Sequence, residues 1–121
     1  MINTEALTAA FKALRKAGFI ARQNFLCCGG CACAGIHDLA QKSSPAKKAR
    51  LKGGVYYHKQ DAEAMYRGRP LYIGYGKLEG MPASLSTEEV GQAVVAALEA
   101  VGLEVSWDGN PMTRIVVRQG R

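Results

Sequence analysis

The sequence predicts an α+β domain: a mixed sheet of about five strands with two main helices packed on one face. Two segments carry apolar residues at helical spacing: Leu7, Ala10, Phe11 and Leu14 in one, and Val90, Val94, Ala97, Leu98 and Val101 in the other. Five short runs have the alternation, or the β-branched and aromatic content, of strands. Each helix has one apolar stripe to bury, and a sheet face is the surface available to bury it. At 121 residues the chain is read as a single domain, 1–121, large enough for one core without disulfide staples.

The first helix starts at Asn3 or Thr4, either of which can cap it, and stops at Gly18. Lys12, Arg15 and Lys16 lie off its stripe and suit the negative end of the helix dipole. "FIARQNF" (19–25) follows as a strand with at least one buried side, and it runs directly into the cysteines. Residues 34–41 are expected to form a short helix, and 42–53 a mobile basic loop. "GVYYH" reads as the second strand, "KQDAEAMYRG" as a helix stopped by Gly68, and "PLYIGYG" as the third strand, with Pro70 at its tolerated first position. Ser86 and Glu89 have capping-box spacing and open the second long helix, which Gly102 ends. "LEVSW" and "TRIVVR" are the last two strands, joined through "DGNP". "ALRKAGFIARQNF" and "ALEAVGLEVSW" echo one another as helix, glycine, strand, a pattern common enough to arise by coincidence.

Composition bounds the function. Hydrophobic residues make up 48% of the chain and charged residues 21%, as in soluble globular proteins. No apolar run approaches the roughly 20 residues needed to span a bilayer, and the N-terminus lacks a basic-then-apolar secretory pattern. A cytoplasmic protein without structural disulfides and without a membrane partner is therefore expected. The net charge is +6, and Lys42, Lys47, Lys48, Arg50 and Lys52 fall in a segment with no acid. Lys47, Lys48 and Arg50 are candidates for holding a polyanion such as nucleic acid. The plainer reading is a solvated loop, since no aromatic residue stands among them to stack on bases.

All four cysteines lie in "FLCCGGCACAGI" (25–36). Zinc is one explanation: Cys28 and Cys31 have C-x-x-C spacing, and two more ligands would come from Cys27, Cys33, His37 or His58. His58 ends a predicted strand, as Cys27 does, so parallel neighbouring strands would bring their ends together. Asp61 could then hold the second imidazole nitrogen. Thiol–disulfide chemistry is another explanation, since a strand, then C-x-x-C, then a helix presents a thiolate to a helix N-terminus, with Cys28 attacking and Cys31 resolving. A third is four small, polarizable side chains in a buried turn.

Elsewhere the signals are plainer. Trp107 fits a core edge, and Tyr56, Tyr57, Tyr72 and Tyr75 fit sheet packing or, on neighbouring strands, the lining of a cleft. "GYGKLEG" lacks the Lys-Ser/Thr of a phosphate loop, and no Ser-His-Asp arrangement is readable. His58 and Asp61 could act as an acid–base pair, although a histidine near an acid is common.

"ARQNFLCCGGC" (21–31), "GVYYHKQDAE" (54–63), "LYIGYG" (71–76), "VGQAVVAALEAVGLEVSWDG" (90–109) and "RIVV" (114–117) together resemble a bacterial family catalogued as a domain of unknown function. The Cys-Cys-x-x-Cys and His-x-Gln-Asp pieces are its most specific parts. The resemblance picks out Cys27, Cys28, Cys31, His58, Gln60 and Asp61, leaves Cys33 outside the pattern, and makes the basic segment after Gln41 an insertion. It implies no activity. The expectation taken forward is a structural zinc-binding interaction module, leaning away from an enzyme, with an unspecified protein partner. Cys27, Cys28, Cys31 and His58 are its ligands, and Asp61 stands behind His58. The alternatives are a thiol–disulfide oxidoreductase using Cys28 and Cys31, and a polyanion or nucleic-acid binder using the 42–52 segment.

Overall fold

The computed structural model of the chain describes residues 2–27 and 29–119. Its elements are α1 (Thr4–Lys16), β1 (Phe19–Arg22), α2 (Gly29–Gln41), α3 (Pro45–Lys48), β2 (Gly53–Tyr56), α4 (Lys59–Tyr66), β3 (Leu71–Gly76), α5 (Thr87–Ala100), β4 (Val105–Ser106) and β5 (Ile115–Val117). The strands form one mixed sheet in the order β1-β2-β3-β5-β4. β1 and β2 run parallel, and each other neighbouring pair is antiparallel. The parallel pair is joined by a helical crossover, since a tight hairpin cannot return a strand in the same direction.

Local chemistry sets the helix ends. The Asn3 side chain accepts from the amides of Glu5 and Ala6, meeting two donors that the first turn leaves open. Ser86 and Glu89 form the expected capping box at the head of α5. Alternation along the strands then sorts the core. Phe19, Ala21, Val55, Leu71, Ile73, Ile115 and Val117 pack with the stripes of α1 and α5 on one face. At about 1.5–3 kcal/mol for each large aliphatic or aromatic side chain removed from water, this cluster is the principal source of stability.

The other face is covered as well. Ile20 packs there with Ile36 and Ala40 of α2 and with Leu51, Leu78 and Met81. Two main helices on one face is thus correct for α1 and α5, and a third long helix adds a layer behind the parallel pair. β2 is squeezed between the layers: a Cβ at Gly53 would stand 2.5 Å from Val90 Cγ2, and one at Gly54 would stand 2.5 Å from Ile36 Cγ2.

Three segments differ from the sequence expectation. β1 ends at Arg22 rather than continuing to Phe25, because Asn24 (φ +49°) and Leu26 (φ +60°) take left-handed backbone that breaks the extended run. α2 begins at Gly29 rather than near residue 34, so Cys31 and Cys33 lie on a helix. The basic 42–53 segment holds the one-turn helix α3, capped by Ser44, and is pinned into the core by Leu51.

Candidate functional site

The carboxyl ends of β1 and β2 point the same way, and the two connections leaving them lead into α2 and α4. In open α/β arrangements this edge is where ligands sit, since helix N-termini present free amides and positive potential there. The cysteine turn lies at this edge. Phe25 N–H donates to Tyr57 O at 2.8 Å, and Lys59 N–H donates to Leu26 O at 3.0 Å. Residues 25 and 26 thus run alongside 57–59 after regular pairing has stopped. α2 closes over them at Gly35, where a Cβ would lie 2.8 Å from both Leu26 Cδ1 and the Phe25 ring. Left-handed backbone at a branched residue such as Leu26 costs of order 1–3 kcal/mol and persists only where its surroundings enforce it. Here those surroundings are the Lys59 hydrogen bond and the Gly35 contact, one position before Cys27.

Cys31 lies in the first turn of α2, and Cys27, Cys31 and Cys33 are all exposed. Cys28 lies outside the described residues. His58 lies two residues past the end of β2 rather than at the end of that strand; it is buried and caps α4. Its Nδ1 accepts from Asp61 N–H at 3.4 Å, and its Nε2 lies 3.1 Å from Asp61 Oδ2. Asp61 returns the cap by accepting from His58 N–H at 3.3 Å. Both ring nitrogens thus face Asp61 in this arrangement, and the imidazole is buried while the described thiols are exposed. Among the described residues no group of three or more His, Cys, Asp or Glu side chains is placed to hold a metal.

Arg114, at the head of β5, extends this network toward solvent, its side chain 40% exposed. Its Nη2 donates to the same Asp61 oxygen and to Tyr72 O at 3.0 Å, and its guanidinium carbon lies 5.8 Å from the centre of the Tyr72 ring. Nothing in the spacing of "TRIVVR" marked this residue; a charge heading an apolar strand is the one signal that could have. Tyr56 lies over Gly74, where a Cβ would meet its ring at 2.5 Å. Burial pushes the Tyr56 hydroxyl above its ordinary value; Cys33 and Asp61 add to the rise, and Arg114 opposes it. Cys33, Tyr56, Asp61 and Arg114 therefore share one electrostatic neighbourhood, and Cys33 and Tyr56 line a hollow of about 50 Å³ together with His37 and Lys77.

The tyrosines divide between the two faces. Tyr56 lies on the α2 side, while Tyr57 stacks edge-on against Phe11 and Tyr75 against Trp107 on the other. Of the basic candidates, Lys47 and Arg50 line a cleft beside β1, and Lys48 is not among its lining residues. No helix among the described residues is long and apolar enough to cross a membrane.

Fold and site define a class: a small α+β domain that presents a cysteine-bearing turn and a helix start beside a buried His58–Asp61 pair bridged by the partly exposed Arg114. The chain belongs to the family described as domain of unknown function DUF6891, whose family model matches residues 1–120. No curated protein and no solved structure matches it.

Proposed function

We propose that the domain carries out thiol–disulfide exchange through Cys28 and Cys31. The observation that carries this reading is the start of α2 at Gly29, directly after Cys28 in sequence, with exposed Cys31 in the first turn. A C-x-x-C pair at the head of a helix that follows a strand is the setting in which free amides stabilise a sulfur anion. In the exchange, the Cys28 thiolate attacks one sulfur of a substrate disulfide and the other sulfur leaves as thiolate. Cys31, once deprotonated, attacks the Cys28 sulfur of the mixed disulfide and releases the second substrate thiol. Two electrons pass to the substrate, and a Cys28–Cys31 disulfide remains for an external thiol to reduce. The His58–Asp61–Arg114 network holds α4 in place, and the Lys59–Leu26 hydrogen bond ties the cysteine turn to it.

Zinc held by Cys27, Cys28, Cys31 and His58 is the second reading. The hydrogen bonds of Phe25 and Leu26 with the 57–59 segment favour it, because they lay the turn bearing Cys27 beside His58. It requires His58 Nδ1 to leave its cap while Asp61 keeps Nε2, the arrangement in which a carboxylate supports a metal-bound imidazole. Metal content of protein purified without added metal, measured beside reduction of a model disulfide, separates the two. Exchange predicts turnover that Cys28→Ser abolishes and little zinc. Near-stoichiometric zinc with no turnover would replace the exchange reading with the metal one.

A further inference from the structure

A cleft of about 820 Å³ lies between the end of α1, the outer edge of β1 and the α3 turn. β1 is the end strand of the sheet, so its outer side is not covered by another strand. Arg15, Lys16, Arg22, Lys47, Arg50 and Lys52 line the cleft, and among the described residues that line it none is acidic. Nor does any described carboxylate pair with one of these six side chains. The chain has 16 Lys and Arg against 10 Asp and Glu. The six in the cleft therefore equal its whole net charge of +6, and the remaining basic residues balance the acids. Charge of one sign gathered in a concavity focuses the potential there.

From this we infer that the cleft is a binding site for a small oligophosphate. Its volume falls within the roughly 300–1,000 Å³ usual for small-molecule sites. Three of the six cations are arginines, whose planar forks match phosphate oxygens two at a time. Phe19 lines the cleft, but its side chain is buried in the opposite core, so no stacking surface for a nucleobase is offered. Strand addition to β1 is disfavoured because Arg15 Nη1 already donates to Ala21 O at 3.1 Å. The site is separate from the cysteine turn and does not depend on the exchange reading.

Calorimetric titration of the full chain with inorganic tripolyphosphate at 0.15 M salt tests the proposal; that salt leaves a Debye length of about 8 Å. Saturable one-to-one binding is expected, weakened at least about tenfold, or 1.4 kcal/mol, by the double variant Arg22→Ala and Arg50→Ala. The control pair Lys12→Ala and Lys77→Ala removes equal charge outside the cleft and should leave affinity within about twofold, as distant surface charges are largely screened. Should the first pair fail to fold, Lys47→Gln with Arg50→Gln on the exposed turn carries the same test. Absence of saturable binding, an equal loss in the control pair, or tighter binding of a duplex DNA through the same residues would overturn it.

Discussion

Arg114 and Asp61 stand 53 positions apart in the chain and share one contact, the Arg114 guanidinium on Asp61 Oδ2. It joins the head of β5 to the first turn of α4. The same oxygen lies within reach of His58 N–H and His58 Nε2, so one buried carboxylate fixes three groups from two elements. Arg114→Ala should therefore cost about 2–3 kcal/mol, since it strips a charged partner from a buried acid. Arg114→Lys should recover only part, because an ammonium keeps the charge but loses the planar guanidinium whose carbon lies 5.8 Å from the centre of the Tyr72 ring. Urea midpoints of the two variants check both statements.

Tyr57 supplies a pH dependence. Its burial raises the hydroxyl above the ordinary tyrosine value, and the hydrogen bond donated by Gln23 only partly opposes this. Above pH about 10 the unfolded chain loses this proton while the folded chain keeps it, so the folded state is favoured less as pH rises. Stability should be fully present below that pH and be lost progressively through the folded value. Tyr57→Phe should show a shallower alkaline decline when unfolding is followed from pH 8 to 11.

Gly53 is pressed from two sides, by Val90 Cγ2 at 2.5 Å and by the Gly76 carbonyl oxygen at 3.3 Å from an added Cβ. Gly53→Ala should destabilise by about 1–3 kcal/mol, the usual cost of overpacking a core. Combining it with Val90→Ala should cost less than the sum of the two single changes, since the second removes the clash. Thermal or urea unfolding of all three variants measures that coupling.

Ser86→Ala removes one half of the α5 capping box, whose amide partner is Glu89. A loss of about 1 kcal/mol is expected, read as a lower urea midpoint with an unchanged slope.

Much of this architecture is legible in the residues themselves. The stripes of α1 and α5, their caps, the capping box and the five strand positions all follow from side-chain period and turn chemistry. α2 is harder to see because "GGCACAG" is built of small residues with little contrast between faces. Its buried line, Ala32, Ile36 and Ala40 at four-residue spacing, has one large member. The end of β1 is hidden for another reason: left-handed backbone at Leu26 is imposed by Lys59 and Gly35, which are distant in sequence. The basic cleft is assembled from α1, β1 and the α3 segment, so a local run such as 42–52 discloses only half of it. Arg15 and Lys16, which read as dipole partners of α1, are also part of its wall.

The proposal for the cysteine turn is tested most directly by equilibrating the full chain in glutathione buffers of graded potential, alkylating the remaining thiols and weighing the peptides. A reversible two-electron transition confined to the Cys28–Cys31 pair, absent in Cys31→Ser, is expected. A pair that stays reduced across the whole range, or thiols protected from alkylation by a stoichiometric metal, would contradict it.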